Sequence, residues 1–206
     1  MNDFERIKKI LMLHTRILNG AYFIIVSDND KTIDRLVMDF SKQVSEELKH
    51  LNVVVFDYAK DIQAEKRYHT DILKSNYASF AMDYYLDDND LKDEDLGSVV
   101  AIYRHLDNYI LEGVTAEEKM QRLAQYFRFQ NMFREPNRFY KAAYYVFPTW
   151  LYSLILQNCP DFRSQINQTY ILDSNYSTVC TADDCRPDWF NYERFDEILW
   201  PSFHKK

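Results

Sequence analysis

Short, continuous apolar runs punctuate this chain, and they narrow its possible folds more than any other feature. Phe23–Val26 (FIIV), Val53–Phe56 (VVVF), SVVAIY at Ser98–Tyr103 and KAAYYVF at Lys141–Phe147 are apolar at successive positions, not at every second one. A strand with one face in water alternates polar and apolar residues. A strand apolar on both sides is buried between two layers, as parallel strands are. Four such runs, with TYIL at Thr169–Leu172 as a fifth strand, predict a parallel sheet covered on both faces.

The segments between the runs carry helical spacing. Phe4 to Asn19 brings Ile7, Ile10, Leu11, His14 and Ile17 or Leu18 to one face, and Gly20 is placed to end it. Thr32 to Leu51 repeats the pattern through Ile33, Leu36, Phe40, Val44 and Leu48. TAEEK sets Thr115 as an N-cap with Glu118 completing a capping box, and so opens a helix to Met132. Thr149 to Asn158 reads as a short helix stopped before Pro160, and 61–85 reads as helical. The opening strand, loop, helix and strand form a βαβ unit whose crossover should be right-handed. The expectation is a three-layer α/β/α domain with a mostly parallel sheet of about five strands and a P-loop-NTPase-like topology. It covers residues 1–173. Residues 174–206 form an aromatic-rich extension packed on the core or on a partner.

A net charge of −7 over 206 residues disfavours non-specific adhesion to nucleic acid or anionic membrane. No apolar run reaches the roughly 18 residues a membrane helix needs. The start, MNDFERIKKILMLHTR, has no secretory cleavage site. With an odd set of cysteines, Cys159, Cys180 and Cys185, these features predict a cytoplasmic chain with reduced thiols. CTADDC has the spacing of a small disulfide or of two metal ligands. No second cysteine pair or nearby histidine completes a zinc set, so neither metal nor cofactor is expected. In a cytoplasmic chain the sequons at Asn167 and Asn175 carry little meaning.

The loop in AYFIIVSDNDKTIDRL, Ala21 to Leu36, has the layout of a phosphate loop without its glycines. In G-x-x-x-x-G-K-[ST] the glycines let backbone N–H groups converge on phosphate, the lysine reaches the outer phosphates and the hydroxyl binds Mg²⁺. Aligning Lys31 and Thr32 with the last two positions puts the glycine sites at Ile25 and Asp30. Ile25 belongs to the strand, so the loop is too short to wrap a triphosphate. Asp28 and Asp30 would face a polyanion, each unit pair at ~4 Å and a dielectric of ~20 costing about 4 kcal/mol. Capping the following helix is the simpler use for Asp28 or Asp30.

The chain nevertheless resembles the nucleotide-binding module of bacterial STAND-type signalling ATPases, particularly those leading into tetratricopeptide arrays. The first helix into GAYFIIVSDND, then VVVFDY, then VVAIYRHLDNYI in the place of the acidic second nucleotide motif carry the resemblance. LAQYFRFQNMF followed by YYVFPTWLYSLILQNCPDFRS extends it, so that it covers Phe4 to about Asp173. The resemblance implies ATP binding and regulated assembly, with Lys31 and Thr32 from the first motif and Asp107 from the second as the nucleotide-binding residues. Missing glycines, and Arg104 and His105 inside the second motif, depart from the family pattern. The implied protein is a degenerate NTPase fold kept as a scaffold.

Other chemistry is sparse. His69, two residues from Asp71, fits no ligand pattern, and His105 with Asp107 is the best-placed acid–base pair for a hydrolase. Ser27 has the position of a nucleophile elbow but lacks its glycines. RFQNMFREPNRFYKAAYY interleaves Phe129, Phe133, Phe139 and Tyr140 with Arg128, Arg134, Arg138 and Lys141. Such a pattern clamps single-stranded nucleic acid or forms a protein contact; in a negatively charged chain it reads as a protein contact. Trp189 and Trp200 near the C-terminus extend that expectation. The acidic stretch Asp87–Asp95 is a solvated loop or a surface for a basic partner. The expected function is a non-catalytic adaptor, sensor or regulatory subunit in a bacterial signalling or defence assembly. The alternatives are an enzyme with an unconventional nucleotide or hydrolase site, and an acidic mimic that binds a basic protein.

Overall fold

The structure, a computed structural model, describes residues 3–60, 89, 97–132, 141–172 and 185–201. The helical reading of 61–85 lies outside the described residues, as does the acidic stretch except for Asn89.

Five strands form one sheet: β1 (Ala21–Val26), β2 (Asn52–Asp57), β3 (Val99–Arg104), β4 (Ala142–Phe147) and β5 (Ile166–Ile171). Their order is β2-β3-β4-β1-β5 and every pairing is parallel. The central strands β1, β3 and β4 are buried at all their residues, as their unbroken apolar runs predict. Helices α1 (Asp3–Ile17) and α2 (Asp30–Glu47) cover one face. There Leu11, Ile33, Leu36 and Phe40 pack on Phe23 and Tyr144, whose rings stack at 4.9 Å. The other face carries the single turn α3 (Asn108–Leu111), α4 (Ala116–Met132), α5 (Thr149–Asn158), α6 (Pro160–Gln165) and α7 (Tyr192–Leu199). Leu123, Phe127, Leu151 and Phe195 meet Tyr103 and Tyr145 there. Each such side chain, fully buried, contributes roughly 1.5–3 kcal/mol of transfer free energy. The fold is a three-layer α/β/α domain.

Three local features differ from the sequence expectation. Pro160 opens α6 directly behind α5, because a proline at the first helical position loses an N–H that has no helical acceptor. The aromatic-rich C-terminal extension, given no helix by the sequence reading, forms α7, with Asn191 accepting from Arg194 N–H and Phe195 and Leu199 one turn apart in the core. Cys159 is a free, buried thiol while Cys185 is disulfide-bonded, so the expectation of uniformly reduced thiols fails; an odd count excludes only complete pairing.

Strand order fixes where a site can form. The chain leaves β1 through α2 on one face and leaves β4 through α5 on the other, although β1 and β4 are neighbours. Connections diverging from adjacent strands leave a crevice beyond their carboxyl ends, where ligands bind in such sheets. Among the described residues no helix is long and apolar enough to cross a membrane.

Candidate functional site

Three residues, Ser27, Asp28 and Asn29, connect β1 to α2. Ser27 N–H donates to Phe147 O (3.2 Å), extending the β1–β4 pairing by one step. Ser27 Oγ accepts from Asn29 N–H at 3.1 Å. Asn29 has extended backbone and its Oδ1 accepts from Thr32 N–H at 3.1 Å, so the helix cap is Asn29 and neither neighbouring aspartate. An N-cap side chain accepts from the second or third helical residue, and Asn29, directly before Asp30, reaches the third. Asp28 serves a different helix, its Oδ1 accepting from Thr149 N–H at the start of α5, 2.8 Å away.

The end of β3 supplies the cationic side of the crevice. Arg104 is buried, with its side chain 5% exposed, and one guanidinium N–H donates to Asp34 Oδ1 at 2.7 Å. Among the described residues its Nε has no hydrogen-bond partner. The Arg104 bond and charge hold the Asp34 carboxyl below its usual range. His105 follows with φ 56°, the one described residue other than glycine in the left-handed region. That conformation is costly for a residue with a Cβ and persists where surrounding contacts impose it. Here His105 O accepts from Asn108 N–H (3.0 Å) while Arg104 O accepts from Tyr58 N–H (3.1 Å).

The imidazole joins three elements. Nδ1 lies 2.6 Å from Asp57 Oδ1 at the end of β2, and Nε2 lies 3.4 Å from Asp30 Oδ1 in the first turn of α2. Asp57 is 8% exposed at its side chain, and Lys60 Nζ sits 3.2 Å from its other oxygen. Burial alone would raise the Asp57 pKa; the His105 hydrogen bond and charge, with Lys60 and Arg104, outweigh it and lower the value. Asp107 behaves oppositely. Burial raises its pKa, Asp30 and Asp28 add to the rise, and its own backbone and His105 oppose it.

Asp30, His105 and Asp107 line a cleft of ≈ 300 Å³ together with Val146, Pro148 and Trp150. Its place is the β1–β4 crevice. A second, more open groove of ≈ 500 Å³ runs between α2 and β2 over Val37, Met38, Val55 and Phe56, and Arg104 lines both.

Of the residues expected to bind nucleotide, Asp107 lines the cleft, Lys31 is exposed on α2, and Thr32 has its N–H on Asn29. Of the expected contact residues, Phe129 belongs to α4 with its side chain outside the described residues. Phe133, Arg134, Arg138, Phe139 and Tyr140 also lie outside them. Trp189 is half-buried, edge-on to Trp150 at 5.7 Å, and Trp200 is 44% exposed at the end of α7. His105 and Asp107 do share one cleft, yet the direct partner of His105 is Asp57, which sequence reasoning passed over. The available signal was a carboxylate closing the apolar run VVVF, at the carboxyl end of a buried strand. His14 is structural, stacked on Phe23 and bonded through Nδ1 to the Tyr170 hydroxyl at 2.7 Å. Among the described residues no three His, Cys, Asp or Glu are grouped to hold a metal ion. Comparison with known protein families, with curated proteins and with solved structures finds no match to this chain.

Proposed function

We propose that the chain is an adaptor, sensor or regulatory subunit on an NTPase-type α/β scaffold, working through protein contacts and not through nucleotide turnover. One observation carries this reading: groups that a phosphate would use at the β1–α2 crevice already serve carboxylates and an amide of the same chain. Asp34 takes Arg104, Asp57 and Asp30 flank His105, Asn29 takes the Thr32 N–H, and Asp28 takes the Thr149 N–H. A nucleotide would have to displace these bonds and approach Asp28, Asp30 and Asp107. The exposure of Trp200 supports a contact role, since tryptophan is enriched at interfaces. The setting in a bacterial signalling or defence assembly follows from the family resemblance alone.

The test is titration with ATP and GTP plus Mg²⁺, read by thermal melting and calorimetry. Bound ligand at 100 times its Kd would stabilise the fold by ~2.7 kcal/mol. The expected result is no shift. A shift abolished by Lys31→Ala would overturn the proposal.

A second reading, a hydrolase at an unconventional site, is favoured by the short Asp57–His105 contact beside the cleft. A histidine held by a buried carboxylate has the arrangement of a general base.

A further inference from the structure

We infer that the cleft beyond β1, β3 and β4 is an acyl-hydrolase site for small neutral or cationic carboxylic esters, with His105 Nε2 as the proton acceptor. This rests on the second reading above and gives it a substrate class.

Asp57 Oδ1, 2.6 Å from Nδ1 and buried, is an acceptor, so the neutral imidazole keeps its proton on Nδ1 and carries its lone pair on Nε2. Asp30 Oδ1, 3.4 Å from Nε2 on a side chain 77% exposed, donates nothing to that lone pair but attracts the imidazolium once it forms. Asp57 and Asp30 therefore place an acceptor oxygen at each ring nitrogen for the imidazolium formed during the reaction. The left-handed backbone at His105 fixes the ring between them, and the ring lines the cleft. Asp57 touches His105 and does not line the cleft, so it is a positioning residue.

The reaction balances with water alone. Nε2 takes a proton from water as the water oxygen bonds to the ester carbonyl carbon. Asn108 lines the cleft, and its amide is assigned here as the donor to the oxyanion. Collapse breaks the carbonyl carbon–alkoxy bond. The departing alkoxide takes the proton from the imidazolium, which releases a carboxylic acid and an alcohol and restores His105.

Charge and size select the ester. Asp28, Asp30 and Asp107 line the cleft and repel anionic substrates. Trp150, Val146 and Pro148 line the cleft with aromatic and aliphatic carbon, which suits an ammonium group and a short acyl chain. A volume of ≈ 300 Å³ lies at the small end of ligand pockets.

The experiment uses the full chain with three aryl esters: 4-(trimethylammonio)phenyl acetate (cationic), phenyl acetate (neutral) and 4-carboxyphenyl acetate (anionic). Expected are hydrolysis lost to background in His105→Gln and a fall of about tenfold or more in kcat for Asp57→Asn with KM unchanged, the range for loss of assisted proton transfer. The preference for the cationic over the anionic ester should also be about tenfold and should shrink as salt rises. Circular dichroism establishes that each variant is folded, and Asp57→Asn stands in should His105→Gln not fold. His105-dependent hydrolysis without discrimination against the anionic ester overturns the substrate class and leaves the acid–base reading intact. No His105-dependent hydrolysis of any ester overturns the proposal. In that event, acylation of His105 by diethyl pyrocarbonate, followed by mass spectrometry, separates the two failures. Faster modification in the wild type than in Asp57→Asn keeps the activated imidazole, and equal rates remove it as well.

Discussion

His105 Nδ1 lies 2.6 Å from Asp57 Oδ1, tying the turn after β3 to the last residue of β2. The β2–β3 register pairs Asp57 with Arg104, so the residue after Arg104 must fold back to reach that carboxylate. A positive φ accomplishes this. The contact couples backbone conformation, a buried charge and the wall of the cleft.

The coupling has a pH signature. The folded pKa of Asp57 is lowered below the usual carboxylate range, so its contribution to stability is present above the unfolded pKa and is lost as pH falls through the folded value. Asp57→Asn should flatten the acid limb of stability below pH ~4, measured by urea midpoints across pH. An acid limb unchanged in Asp57→Asn would show that Asp57 is not stabilised by His105.

Asp107 should act in the opposite sense. Its folded pKa is raised, so its stabilising contribution is present in full below the unfolded pKa and lost as pH rises through the folded value. Asp107→Asn should therefore raise the melting temperature at pH 7, by less than about 1 kcal/mol equivalent, and give no gain near pH 3. Melting curves at the two pH values decide it.

Left-handed backbone at His105 makes a prediction free of the imidazole. His105→Gly and His105→Ala both remove the ring, but only alanine keeps a Cβ at φ 56°. The glycine variant should be the more stable by about 1 kcal/mol, the usual cost of that conformation, and His105→Val should be the least stable. Equal denaturation midpoints for the glycine and alanine variants would refute the assignment.

The Arg104–Asp34 pair is asymmetric. Arg104 is buried whereas the Asp34 side chain is 59% exposed. Asp34→Ala leaves a buried guanidinium short of its partner and should cost about 1–3 kcal/mol. Arg104→Met returns Asp34 to water and fills the space, so its cost should be smaller, roughly 1 kcal/mol or less. The reverse order in chemical denaturation would contradict the burial assigned to Arg104.

Removing one α7 side chain tests how the C-terminus is held. Phe195 is fully buried, edge-on to Phe127 of α4 at 5.8 Å. Phe195→Ala should cost about 3–5 kcal/mol, against little for Trp200→Ala at its exposed site. A small loss for Phe195→Ala would mean that α7 detaches without unfolding the core.

The sequence by itself determined the layers. Runs such as FIIV and AAYYVF are apolar on both strand faces, a property of contiguous residues that needs no knowledge of neighbours, and β1, β3 and β4 are buried accordingly. The glycine-poor β1 loop and the capping box at Thr115 and Glu118 were legible for the same local reason. Tertiary structure alone decided the site. His105 and Asp57 are 48 positions apart, and they meet because β2 and β3 are adjacent and in register. Strand order also puts β3 and β4 between β1 and β2, which brings Asp30, His105 and Asp107 to one crevice. Asp28 shows the same limit: spacing made it a cap for the helix beside it, while packing turned it to the helix after β4. Local periodicity reports which faces are buried. Which strand ends meet depends on strand order, and that is settled by the packing of the whole sheet.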